Sequence, residues 1–168
     1  PTEMLLTNGG DCEDYAIAKY FTLLVLGVPM DKLKITYVKA RNPQWTPPSQ
    51  AHMVLTYYAD NKAIPLVLDN LIPEIRPASQ RSDLTPVYAF NGAGLWLAQQ
   101  RGLGKTVEGG SNNIGFWRDL IARMGKDGIN AAIPGLVGNG GHAPCAGCSR
   151  SIGERGFNRR QERGAIVR

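Results

Sequence analysis

The chain has 168 residues, 43% hydrophobic and 20% charged, which suffices for one domain with a sizeable core. No apolar run approaches the ~20 residues of a membrane-spanning helix. The net charge of +5 is unevenly placed: residues 150–168 hold six Arg and two Glu, a balance of +4, leaving +1 for the rest. The main part therefore offers no electrostatic footprint for nucleic acid. The chain begins at Pro1 rather than Met and reads as a fragment of a longer protein, so the lack of a signal peptide leaves the compartment open.

Residues 1–8 read as the end of an element whose start is missing. Gly9-Gly10 then delivers a lone Cys12 into the first turn of a helix. Ala16, Tyr20, Leu23 and Leu24 fall on one face at helical spacing, which predicts a buried helix. Gly27 reads as the helix's C-terminal glycine, with Pro29 just beyond. Alternation and β-branched content predict a strand over 33–40, followed by a Pro-rich loop over 41–50. Strands over 51–58 and 64–71, separated by Ala59-Asp60-Asn61-Lys62-Ala63, form an expected hairpin. Pro65 argues for an edge position or a bulge at the start of the second strand.

Residues 73–86 are polar and Pro-rich, and a further strand is expected over 87–91, continued weakly by 96–98. A Gly-rich linker covers 102–115, and a short amphipathic helix covers 116–124. From about residue 129 the chain turns Gly-, Arg- and Ser-rich, the composition of a tail without fixed structure. The expected fold class is α+β, a helix packed on an antiparallel sheet.

A thiol at a helix N-terminus feels the positive end of the macrodipole and free backbone N–H groups, which lower its pKa. The plainer reading is a small apolar side chain filling a gap. Cys12 has no evident disulfide partner within the domain, since Cys145 and Cys148 lie in the tail. A Cys nucleophile needs a base, and the base needs an orienting group. His52 is the single His before the tail. If the hairpin turn centres between Asp60 and Asn61, His52 stands directly opposite Asp69, and opposed residues share a face. Asn70 would point to the other face unless a bulge intervenes.

Asp11, Glu13 and Asp14 surround the Cys. Acids in a first helical turn contribute roughly 0.3–1 kcal/mol each, which accounts for one or two of them. Three carboxylates would oppose thiolate formation, and a hard cation such as Ca²⁺ would cancel their charge. Two other motifs carry less. Gly102-Leu103-Gly104-Lys105-Thr106 resembles the end of a P-loop, but Gln99 stands where the motif requires Gly and no strand leads in. His142 with Cys145 and Cys148 is half a metal site at most.

Gly10-Asp11-Cys12-Glu13-Asp14-Tyr15-Ala16, Ala51-His52-Met53-Val54-Leu55 and Val67-Leu68-Asp69-Asn70-Leu71 together resemble the bacterial transglutaminase-like cysteine proteinases. Further matching text runs from Arg81-Ser82-Asp83-Leu84 to Asn91, and the resemblance covers about residues 1–125. It implies a papain/transglutaminase-like fold, with the family's catalytic triad falling on Cys12, His52 and Asp69. Its Ca²⁺ site would use Asp11 and Glu13, with Asp14 as a further ligand. It also implies a periplasmic endopeptidase that cuts the N-terminal region of a large surface adhesin beside a pair of alanines, dispersing biofilm. An inner-membrane cyclic-di-GMP receptor of the LapD type would sequester it. Two departures stand out: the family's N-terminal part before Pro1 is absent, and the tail after about residue 128 does not resemble the family. Two rival functions share the fold, acyl transfer to an amine and an inert binding module that docks to a membrane receptor.

Overall fold

In the computed structural model, residues 4, 6, 9–60, 62–99 and 102–127 are described. The expected tail over 129–168, with Cys145 and Cys148, lies outside them, as does most of the expected element over 1–8.

Helix α1, Cys12–Val25, starts where the sequence places it. Asp11 is its N-cap, accepting from the Asp14 amide at 3.1 Å, while Asp14 accepts from the Asp11 amide at 3.4 Å. Gly27 ends the helix at φ +88°, a conformation that suits glycine. Val28 donates to the Leu23 carbonyl and Gly27 to that of Leu24, closing a Schellman motif. Ala16, Ile17, Tyr20 and Leu24 form the buried face. Leu23 is partly buried against the same core.

Seven strands form one antiparallel sheet: β1 Leu33–Arg41, β2 Ser49–Tyr57, β3 Leu66–Leu68, β4 Arg76–Pro77, β5 Leu84–Asn91, β6 Gly94–Gln99 and β7 Gly102–Thr106. Their order is β4-β3-β2-β1-β5-β6-β7. Helix α2, Gly115–Lys126, follows. Tyr20 of α1, Trp117 of α2, and Leu33, Ile35, Met53, Leu55 and Phe90 of the sheet share one core. Burying each such side chain stabilises the fold by about 1.5–3 kcal/mol. Tyr20 and Phe90 meet the Trp117 ring edge-on, at 5.6 and 5.2 Å between centroids. A smaller cluster, Val38, Val54 and Val67, lies on a different set of strand positions, the alternate ones.

Several expectations change. The second hairpin strand spans Leu66–Leu68 rather than 64–71, and Pro65 precedes it. β3 is not an edge, because the short β4 pairs along its other side. Residues 102–106 form β7 instead of linker, and 94–99 form a full strand pairing with β5. Asn91 explains that hairpin. Its side chain donates to the carbonyls of Met30 and Leu33 and accepts from the amides of Ala93 and Gly94, fixing the turn to the core. The two bonds to Met30 and Leu33 join residues some sixty apart in the chain, so local propensity carries no trace of them.

Candidate active site

Residues of β2 and β3 pair so that Leu55 faces Leu68, Thr56 faces Val67 and Tyr57 faces Leu66. The register is two residues off the expected one, so Asp69 is diagonal to His52 instead of directly opposite. A two-residue slip preserves the face on which a side chain stands, because strand side chains alternate with period two. His52 and Asp69 therefore still meet: Nε2 of His52 lies 2.7 Å from Oδ1 of Asp69. Asn70 takes no part in this bond.

Asp69 is fully buried at its side chain. Its Oδ1 also accepts the amides of Asn70 at 2.7 Å and Leu71 at 3.0 Å. Its Oδ2 receives Arg81 at 2.7 Å. Burial pushes the carboxyl up, but the bonds from His52, the Leu71 amide and Arg81 prevail and hold it well below the usual carboxylate range. It is an acceptor at neutral pH, so His52 donates from Nε2, leaving Nδ1 as the basic nitrogen. Lys19 of α1 donates to the Asp69 backbone carbonyl at 2.8 Å, tying the Cys helix to this corner.

Arg81 is the residue that sequence patterning missed as a member of the site. Its guanidinium holds Asp69 with one arm and forks onto Asp83, at 3.0 Å from Nε to Oδ1 and 2.8 Å from Nη2 to Oδ2. Nη1 is buried with no hydrogen-bond partner among the described residues. Arg81 also lines a hollow of about 990 Å³ with Thr36, Val54 and Thr56, and neither Cys12 nor His52 borders it. The one available signal was the Arg-x-Asp spacing at 81–83.

Cys12 is a free, half-buried thiol at the start of α1. His52 is directly paired with Val38, which places it on the face of the Val38 cluster, while Met53 packs on the face that α1 covers. The thiol and the imidazole thus approach the edge of β2 from two sides. No hydrogen bond joins them among the described residues. The thiol pKa is raised above its ordinary value. Burial is the largest cause; the Met53 backbone lowers it, and the charges of Glu13 and Asp11 raise it again. This departs from the expectation that the helix terminus lowers it. Desolvation and two adjacent carboxylates outweigh the backbone hydrogen bonds from Met53 and Cys12.

The three acids form no completed cage. Among the described residues no group of three or more His, Cys, Asp and Glu converges on a metal position. Asp11 and Asp14 cap the helix through each other's backbones. Glu13 is pushed up by burial, by the Asp11 charge, by a side-chain hydrogen bond to Asp11, and by Asp14. Crowded hard oxygen donors of one sign suit Ca²⁺, so the Asp11–Glu13 pair fits that ion.

The model of the bacterial transglutaminase-like cysteine proteinase family matches residues 3–87, a span that includes Cys12, His52, Asp69 and Arg81. The chain belongs to that family. Among solved structures, this transglutaminase-like proteinase is similar to Legionella pneumophila LapG, at 48% identity over 73% of this chain and 60% of that one, with a TM-score of 0.60. An EGTA-treated LapG gives 48% identity, 73% and 61% coverage and a TM-score of 0.62. A calcium-bound LapG gives 48%, 73%, 61% and 0.60. The mixed helix and antiparallel sheet of the transglutaminase-like fold is common to them. The chain spans about three-fifths of LapG's length. Curated proteins gave no match. Among the described residues no helix is long and apolar enough to cross a membrane.

Proposed function

We propose that this chain carries the catalytic centre of a Ca²⁺-dependent cysteine endopeptidase, with Cys12 as nucleophile, His52 as base and Asp69 as orienting carboxylate. The observation that carries this reading is the buried 2.7 Å His52–Asp69 bond, which commits Nε2 and leaves Nδ1 basic, at the strand edge where Cys12 stands. Catalytic hydrogen bonds are often long before substrate arrives, so the open Cys12–His52 approach is compatible with it.

In the reaction, Nδ1 of His52 takes the thiol proton of Cys12, and the thiolate forms a bond to a peptide carbonyl carbon. The C–N bond then breaks as His52 returns the proton to the leaving amine. The Cys12 backbone amide, at the helix start, is one donor for the oxyanion. Water, deprotonated by His52, releases the acyl group and regenerates the thiol. Asp69 stays ionised, holding the ring and stabilising its cationic form. Asp11 and Glu13 would hold Ca²⁺, with Asp14 as a further candidate, and the ion would supply positive charge that favours the thiolate. Calcium-bound and EGTA-treated forms of LapG support this part of the reading.

The substrate proposed by family likeness is the N-terminal region of a large surface adhesin, cut near an Ala-Ala pair in the periplasm to disperse biofilm. The proposed controlling partner is a LapD-type cyclic-di-GMP receptor. To test the chemistry, the full-length protein is incubated with such an adhesin fragment and products are weighed by mass spectrometry. Cleavage at one site that Cys12→Ala abolishes is expected. Cleavage that survives Cys12→Ala would sink the reading, and an amine adduct in place of a free acid would convert it to acyl transfer. The raised thiol pKa favours one rival, an inert module that docks to a membrane receptor, and full-length protein that never cleaves the fragment in the presence of Ca²⁺ would establish that rival.

A further inference from the structure

Strand β2 has two edges, and only one is fully used. β1 pairs with it from Ser49 to Tyr57, whereas β3 covers only Leu55–Tyr57. The phase of the ladder can be read directly. Asn42 donates to the Pro48 carbonyl at 3.0 Å on the β1–β2 side, and Arg41 donates to the Asp83 carbonyl at 2.8 Å on the β1–β5 side. Even-numbered residues of β1 and β2 therefore bond to each other, because backbone groups alternate sides along a strand. Odd-numbered residues of β2 turn their N–H and C=O toward the β3 side. At Leu55 and Tyr57 that side meets β3. At Met53 it meets the Cys12 thiol. At Ser49 and Ala51 it meets no strand among the described residues, and both are exposed. Unpaired edge groups are a template for an extended chain.

We propose that the polypeptide substrate binds as an added strand on the β2 edge at Ser49 and Ala51, backbone to backbone, and that this pairing delivers its scissile carbonyl to Cys12. The inference rests on the protease reading above. Ala51 and Met53 are one two-residue step apart, about 6.6–6.8 Å. The substrate residue paired with Ala51 therefore lies within two residues of the bond to be cut. His52, between them in sequence, turns its backbone to β1 and so leaves this edge clear for substrate. The ligand class is an extended segment with free amides at alternate positions, which excludes Pro there. Recognition through backbone groups selects the strand conformation rather than particular side chains.

The test uses the full-length protein with Ca²⁺ and a twelve-residue peptide centred on Ala-Ala. In the Cys12→Ala variant, hydrogen exchange at the Ala51 amide should slow on peptide addition, while the Gln50 amide, already bonded to β1, should not change. In the wild type, single N-methylation along the peptide should lower kcat/KM by roughly tenfold at every second residue near the cut and little in between, the value of one lost hydrogen bond. Ala51→Pro removes the edge N–H without removing a β1 bond, and should raise KM while leaving kcat and Tm near wild type. If that variant does not fold, the N-methyl scan on wild type decides alone. A cleaved peptide with no period-two pattern, or an Ala51 amide that stays unprotected, overturns the added strand and leaves the protease reading intact. A peptide that protects Ala51 yet is never cut retains the strand site and sinks the protease reading.

Discussion

Arg81 meets Asp69 at 2.7 Å on Oδ2, the oxygen that His52 leaves open, and both side chains are almost fully withdrawn from solvent. The carboxylate is thereby held from two sides, His52 on one oxygen and the guanidinium on the other. Asp83 in turn holds Arg81, so the imidazole is oriented by a chain of three charged groups. Removing one partner of a buried pair leaves the other uncompensated, which costs about 3–5 kcal/mol. Arg81→Met is expected at the low end, about 3 kcal/mol, because Asp69 keeps His52 and two amides. It should also lower kcat more than it raises KM. Arg81→Lys should restore the charge but not the fork, and recover stability only in part. Urea unfolding and steady-state kinetics check this, and an Arg81→Met protein with wild-type midpoint and kcat would remove Arg81 from the site.

Acid should dissolve this corner. Asp69 is held well below the usual range against the opposing effect of burial, and Asp83 is lowered first by its Arg81 bond. A carboxyl with a depressed folded pKa contributes stability that is present above its unfolded value, near ~3.9, and lost as pH falls toward the folded value. Stability should therefore fall below about pH 4. In Asp69→Asn the urea midpoint should start lower at pH 7 and depend less steeply on pH between roughly 2 and 5. Parallel pH curves for variant and wild type would contradict the assignment.

The thiol of chelated protein should behave as a reluctant nucleophile. Burial comes first among the causes that raise its pKa, then the charges of Glu13 and Asp11, with the Met53 backbone opposing. Rates of iodoacetamide alkylation against pH should show a midpoint above the ~8.5 of an ordinary thiol. Glu13→Gln should move that midpoint down, because it deletes one of the neighbouring charges. An unmoved midpoint would remove the Glu13 charge from the causes that set the thiol.

Calcium should change both reactivity and stability. EGTA treatment is expected to abolish cleavage and lower Tm together, and Ca²⁺ to restore both. Mg²⁺ should restore little, since it demands tight octahedral geometry at shorter distances. Asp11→Ala has two effects to separate: it removes a proposed ligand, and it removes the N-cap, worth about 0.5–2 kcal/mol. Asp11→Ser keeps a capping oxygen and loses the charge, so it should retain most of the stability of metal-free wild type yet no longer gain Tm on Ca²⁺ addition. A metal-free protein that cleaves at the untreated rate would leave the acids as helix-terminal charges alone.

The sequence by itself determined the local parts. Gly9-Gly10 and Gly27 bound a helix because turn and left-handed positions are chemical demands on single residues. Period-two alternation fixed the shared face of His52 and Asp69, and it survived a two-residue error in register because a strand returns to the same face every two residues. The tertiary structure decided the rest. The register itself depends on how β2 and β3 pack on both neighbours. The partnership of Arg81 with Asp69 joins the segments that follow β3 and β4, twelve residues apart, and no spacing rule encodes it. The Cys12 pKa turned out opposite in direction to the helix-dipole expectation, because desolvation belongs to what surrounds a thiol in space and not to its place in the chain. The open edge of β2 exists because β3 stops at Leu68, and a strand's end is set by what it can pair with, which only the folded chain reveals.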